Sequence, residues 1–353
     1  MKIVIILFAI IPIILFSCKN EQVKVSKYGN TLRINEPEYI RTLYPQNLKD
    51  VISSHVITQL YEGLVKFDAK TLRAIPAIAK SWEVNATDTI YTFHLRNDVY
   101  FHDNKCFPGG KGRKVVADDV KYTYAMLCTK SDDNKNYFGT LDKVVGTYKY
   151  YEESSLGKPN FDIEGIKVID DSTLQICIEK PIPFFLNLLA NPVAGIIPKE
   201  GVEEYGINNY VGSGPYMLSD MPKQNEELIL LRNPQYYGKD FQGNSLPYID
   251  SVKVSFIGST HKELESFEKG ELDVVLGLPI NFINDFFEKH KAEFQGKTAK
   301  YILEDADENA SLYNLKQIYV SDLFVNSINY LDFSRVQFKE PLLLENQNDS
   351  LSK

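Results

Sequence analysis

The chain has 353 residues, 44% of them hydrophobic and 24% charged, a composition that suits a folded protein of about two domains and excludes gross disorder. Its 39 basic and 47 acidic residues leave a net charge of −8, and removing the leader that holds Lys2 changes the balance to 38 against 47, or −9. Such a balance argues against the basic face that a nucleic-acid-binding protein presents.

In chain order, Lys2, the apolar residues 3–16 and the sequence Leu15, Phe16, Ser17, Cys18 have the form of a lipoprotein signal ending at Cys18. The apolar run falls short of the about 20 residues a spanning helix needs, and Pro12 interrupts it, so residues 1–17 read as a leader. Cys18 then becomes the lipidated first residue of the mature chain, held to a membrane by its acyl chains, with residues 18–28 as a tether. Residues 32–35 read as a strand, 36–45 as a loop, and 52–61 as a helix capped by Asp50 or Ser53. Residues 90–95 are extended and 117–127 helical, while 167–169 and 173–178 form a hairpin around Asp170, Asp171 and Ser172.

Further on, Gly212, Ser213, Gly214, Pro215 reads as a fixed turn in which the two glycines permit φ > 0 and the proline blocks a helix. It leads into residues 216–218, which can pair with 228–231 before Asn233, Pro234, Gln235, Tyr236, Tyr237. A strand at 251–257, a helix at 261–269 closed by Gly270, and a strand at 272–276 form a unit whose two strands are expected to run parallel. Alternating strands and helices without an internal repeat indicate a mixed α/β fold.

Candidate chemistry is sparse. With Cys18 assigned to lipid, Cys106, Cys128 and Cys177 remain, so at most one disulfide can form; a Cys106–Cys128 pair is favoured if any forms, and none of the spacings suits a metal. The five histidines lack metal-site spacing, and His94 and His102 read as satisfied structural residues. Carboxylate pairs such as Glu203 with Glu204, or Glu263 with Glu265, read as solvated helix faces, and the glycine-rich segment 105–114 as a mobile basic loop. No nucleophile, base and orienting group occur together at motif spacing, so neither enzyme activity nor a cofactor is expected.

Several segments appear in one order: Tyr61, Glu62, Gly63, Leu64, Val65; Pro76, Ala77, Ile78, Ala79, Lys80, Ser81, Trp82, Glu83; Tyr91 through Arg96; Val99, Tyr100, Phe101, His102, Asp103; Ala117, Asp118, Asp119, Val120. With the glycine turn at 212–215, the Asn233–Tyr237 run and Gly270, Glu271, Leu272, Asp273, they resemble the peptide/nickel family of extracytoplasmic solute-binding proteins, whose members feed ABC importers. The resemblance runs from about Leu32 to about Pro279.

It implies a two-lobe fold around a cleft: residues 29–46 and 162–277 as lobe one, 47–161 as a subdomain inserted into it, and 278–353 as a partial or divergent start of lobe two, most of which is expected to be missing through truncation. It also implies a lipid-anchored receptor on the periplasmic or exterior side of the cell envelope, capturing oligopeptides for ABC permease subunits by main-chain hydrogen bonds. By position, the lobe-one contacts would be Glu38, Tyr39 and Ile40, then Gly277, Leu278 and Pro279, with Tyr137 reaching in from the inserted subdomain. On the truncated reading, one wall would leave millimolar binding at best. The alternative is a surface interaction lipoprotein, or a remnant that no longer closes on a solute.

Overall fold

The computed structural model describes residues 30–275 apart from 69–70, 221–222 and 224–225. The expected leader, tether, Cys18 and residues 276–353 therefore lie outside the described residues.

The chain enters through β1 (Thr31–Glu36) and α1 (Val51–Leu60), then makes the two-stranded β2 (Val65–Phe67) and β3 (Ala74–Pro76). Next come β4 (Ala79–Val84), β5 (Ile90–Leu95), α2 (Ala117–Leu127), α3 (Thr147–Ser154), β6 (Ile166–Asp170) and β7 (Thr173–Cys177). After α4 (Phe185–Leu189) and α5 (Lys199–Tyr205), the chain forms β8 (Tyr216–Leu218), β9 (Leu228–Arg232), β10 (Ser251–Phe256) and α6 (Thr260–Glu268).

Two four-stranded sheets organise these elements, with strand orders β1-β10-β9-β8 and β4-β5-β7-β6. In the first, β1 lies parallel to β10, while β9 runs antiparallel to both β10 and β8. The second sheet is antiparallel throughout. Alternation explains the burial: Tyr91, Phe93 and Leu95 of β5 and Leu174 and Ile176 of β7 are buried, while the residues between them are partly exposed. Helix α1 starts at Asp50, whose carboxylate accepts the Ser53 amide at 2.8 Å. Asp50 is thus the cap, whereas Ser53 lies inside the helix, its hydroxyl donating back to Asp50 and accepting the amides of Arg41 and Thr42 in the preceding loop.

Two hydrophobic cores follow from this layout. The first joins Leu32 and Ile34 of β1 with Val56, Ile57 and Leu60 of α1 and Val252 and Val254 of β10. The second surrounds Phe93, Phe101, Tyr124, Tyr137 and Phe185. Helix α1 belongs to the first core, and β7 pairs with β5, so the hairpin 166–177 completes the second sheet and does not return to the first.

Three further expectations change. All three described cysteines are free thiols: Cys128 is fully buried in the second core, and Cys106 lies beside Gly201, so the favoured Cys106–Cys128 pair is absent. Segment 272–275 does not form a strand. The Asp273 amide bonds the Arg33 carbonyl at 2.8 Å, but the Asp273 carboxylate, not a strand carbonyl, takes the Arg33 amide at 2.8 Å and grips its guanidinium, which replaces a ladder with a single clamp. The basic segment 105–114 is anchored. Arg113 forks onto Asp119 and Glu200, Lys111 pairs with Asp103, and a Cβ on Gly112 would stand 1.8 Å from the Phe101 carbonyl oxygen.

Candidate functional site

The loop leaving β1 lies at the carboxyl ends of two parallel strands, where α/β sheets place their ligands. Glu38 is exposed and, among the described residues, pairs only with Arg41, at 2.9 Å, a surface contact of small energetic weight. Tyr39 is half-buried against Phe256, with ring centroids 4.6 Å apart, and its hydroxyl donates to the Lys223 carbonyl at 2.7 Å. Burial, helped by the Glu226 charge, raises the Tyr39 pKa. Ile40 is buried in the first core, so its side chain is structural and only its backbone can meet a ligand.

Among the described residues, no backbone N–H or C=O group of Glu38, Tyr39 or Ile40 has a hydrogen-bond partner. An unpaired stretch of main chain at the end of a sheet can pair with an extended segment of another chain. Tyr137 does not join it. Its ring is 1% exposed, stacks on Tyr151 at 4.3 Å, and its hydroxyl reaches Thr147, so it packs the second core instead of facing a ligand. Gly277, Leu278 and Pro279 lie outside the described residues.

The motifs that drew attention in the sequence converge elsewhere, on a joint between the two cores. Gly214 donates its amide to the Leu60 carbonyl at the end of α1, at 2.9 Å. The His102 amide donates to Gly212 O at 2.8 Å, and its ring Nε2 donates to Gly214 O at 2.9 Å. Asn233 donates its side-chain amide to Gly214 O and its backbone amide to Pro215 O, at 2.9 and 2.8 Å. Neither Gly212 nor Gly214 has a positive φ, contrary to expectation. They are needed for close approach: a Cβ would come within 2.0 Å of Leu60 O at Gly212 and 2.4 Å of Gln59 O at Gly214.

Beside this joint, buried Glu62 accepts the Tyr236 hydroxyl at 2.8 Å and the Lys66 ammonium at 3.2 Å, and Lys66 also donates to the Tyr236 oxygen at 3.1 Å. Burial first, then the Glu62 charge, raises the neighbouring Tyr237 phenol well above its usual pKa. A cavity of about 30 Å³ is lined here by Thr58, Tyr61, Glu62, Lys66, Pro215 and Tyr236, room for about one water molecule, and residues 38–40 do not line it. His102 is fully buried, and that burial lowers its pKa to about 4. Glu263, read from sequence as part of a solvated helix face, is buried, and that burial raises its pKa. Periodicity alone did not mark it, since Glu265 on the same helix is exposed and pairs with His261.

The profile of the bacterial extracellular solute-binding proteins, family 5 (middle portion), matches residues 73–316. The periplasmic oligopeptide-binding protein OppA of Salmonella typhimurium is 29% identical over 276 residues, covering 74% of this chain and 45% of its own length. OppA of Burkholderia pseudomallei superposes with a TM-score of 0.63 at 21% identity, over 74% of this chain and 48% of that one. Haemophilus influenzae OppA in complex with the peptide RPPGFSPFR superposes with a TM-score of 0.62 at 25% identity, again over 74% and 48%. The chain thus spans about half the length of the relatives it matches. Among the described residues, no helix is long and apolar enough to cross a membrane.

Proposed function

The chain belongs to the bacterial extracellular solute-binding proteins of family 5, and from that premise we propose that it is the lipid-anchored receptor of an ABC importer, capturing oligopeptides outside the cell membrane. Relatives named for oligopeptide binding support the ligand class. The observation that carries the reading on this chain is the unpaired main chain of Glu38, Tyr39 and Ile40 at the carboxyl end of β1. Recognition through main-chain hydrogen bonds tolerates varied side chains, which suits a receptor for peptides of mixed sequence. On this reading the first core is lobe one and the second core its inserted subdomain, with Gly277, Leu278 and Pro279 completing the lobe-one contacts. The ABC permease is the membrane partner.

Titration calorimetry of residues 18–353 against a pool of tri- to pentapeptides tests the ligand. Weak binding, millimolar at best as one wall allows, is expected, and it should be lost when Tyr39→Pro removes one main-chain donor and forces the loop into a new path. Binding of free amino acids or sugars in preference to peptides would overturn the ligand class. The anchor rests on Leu15, Phe16, Ser17, Cys18. Cys18→Ser should abolish incorporation of labelled fatty acid and shift the protein from the detergent phase to the aqueous phase; labelling that persists in the variant would sink the anchor.

A further inference from the structure

A cleft of about 420 Å³ opens beside the joint, between the β2–β3 hairpin and the segment that follows β9. That volume falls within the roughly 300–1,000 Å³ of small-molecule sites, whereas the neighbouring cavity has room for about one water molecule. Lys66 and Tyr236 line both and form the wall between them, and residues 38–40 line neither.

Arg96, the first residue after β5, supplies a charge of fixed orientation. Its Nε and Nη2 donate to the two oxygens of Asp98, each at 2.9 Å, and its guanidinium carbon lies 4.3 Å from the centre of the Tyr237 ring. Two contacts thus set its plane, and Nη1 has no hydrogen-bond partner among the described residues. Lys66 is committed to Glu62 at 3.2 Å and to the Tyr236 oxygen at 3.1 Å. Lys239 pairs with no acid among the described residues. The Asp98 carboxyl is held below its usual range first by the hydrogen bonds from Arg96, with a smaller contribution from the Lys239 charge. Setting Lys66 against Glu62 and Arg96 against Asp98 leaves the Lys239 charge over, so the cleft carries an excess of one positive charge.

Ile75, Pro76 and Leu246 add apolar surface to the same cleft. The wall that holds Leu246 is built in advance. Its amide donates to the Gly238 carbonyl at 3.0 Å, and the Asp240 carboxylate accepts the Gln242 and Asn244 amides at 2.8 Å each and the Tyr248 hydroxyl at 2.6 Å. A ligand entering here orders little beyond the Lys239 side chain, which keeps the entropic cost of binding low.

We propose that this cleft binds a small organic monocarboxylate, its apolar body against Ile75, Pro76 and Leu246 and its carboxylate between Arg96 Nη1 and Lys239 Nζ. One negative charge balances the excess, and a carboxylate accepts hydrogen bonds from both donors. A neutral ligand leaves the Lys239 charge unanswered, and a second acidic group repeats the charge of Asp98. The site is separate from the main-chain loop at 38–40 and does not rest on the peptide reading.

The test is fluorine NMR of para-fluorophenylacetate titrated into the full chain at low ionic strength and about pH 7, where the acid is ionised. Saturable binding is expected, and para-fluorophenylacetamide, of the same shape without the charge, should bind at least about tenfold more weakly. Lys239→Glu turns the excess of one positive charge into one negative charge, and Arg96→Gln removes the Nη1 donor; each should weaken the acid about tenfold or more. Lys143→Ala, at a lysine that does not line the cleft, should change nothing. Should Arg96→Gln fail to fold, Lys239→Glu decides alone. Absence of saturation, equal binding of acid and amide, or unaltered binding in a folded variant of either cleft residue would overturn the proposal. Tyr39→Pro should leave the affinity for the acid unchanged, and a loss there as large as in Arg96→Gln would place the carboxylate in the loop at 38–40 and overturn the cleft. Failed peptide binding alone would leave the cleft standing.

Discussion

Replacing Gly214 with alanine is expected to lower the unfolding free energy by about 3 kcal/mol or more, and the melting midpoint by about 6 to 12 °C. The added Cβ would lie 2.4 Å from the Gln59 carbonyl oxygen and 2.6 Å from the Leu60 carbonyl carbon. Both are main-chain atoms at the end of α1, so no side chain can swing away to make room. Relief requires the turn to lift off the helix, which stretches the Gly214 amide from Leu60 O and carries with it the Gly214 carbonyl that His102 and Asn233 share. One methyl group thus strains three segments at once.

Ser213→Ala is the internal comparison. The Ser213 hydroxyl is buried with no partner among the described residues, so its removal should change stability by less than about 1 kcal/mol. Thermal or urea unfolding of the two variants decides the matter. A Gly214→Ala protein that melts with the wild type would show that the turn is not seated on α1 as described.

That turn also shows what sequence can and cannot reveal. Gly212 and Gly214 stand out at once, yet the reason inferred for them, a left-handed backbone, is wrong. The true reason is a neighbour about 150 residues earlier in the chain, and no local rule could supply it. Elements with strong periodicity are read well: β5, α2 and the β6–β7 hairpin follow from alternation or helical spacing within the segment itself. What depends on long-range packing is read poorly. Tyr137 looks like a loop aromatic until Tyr151 stacks on it, and Glu263 resembles its exposed neighbour Glu265 until the fold buries it.

The candidate site is legible only as a position. That a loop follows β1 is plain from Pro37, but the unpaired state of its main chain is a property of what the rest of the fold leaves uncovered. Conversely, Glu62, His102, the turn at 212–215 and Asn233, which belong to the motifs that carry the family resemblance, build the joint between the cores, whereas the proposed binding loop at 38–40 carries no motif of its own.

The same joint should make the protein acid-sensitive through His102. In the fold this imidazole is neutral: Nε2 donates to Gly214 O, and Nδ1 has no partner among the described residues. Protonating Nδ1 would bury a positive charge with nothing to receive its N–H, and Asp103 is occupied by Lys111 and the Gly112 amide. Burial therefore lowers the pKa from 6.5 to about 4. Because the folded value lies below the unfolded one, the unfolded chain takes up the proton first as pH falls. Stability is full above about pH 6.5 and is lost progressively down to about pH 4, by about 3 kcal/mol for this one group.

Carboxylates titrate over part of the same range, so the wild-type curve alone cannot isolate the histidine. The measurement is the difference in unfolding free energy between the wild type and His102→Gln, whose side-chain amide can still donate to Gly214 O but does not titrate. That difference should hold steady above about pH 7 and swing by about 3 kcal/mol toward the variant by about pH 4. A difference that stays constant with pH would mean that His102 is charged, or reaches water, in the folded protein.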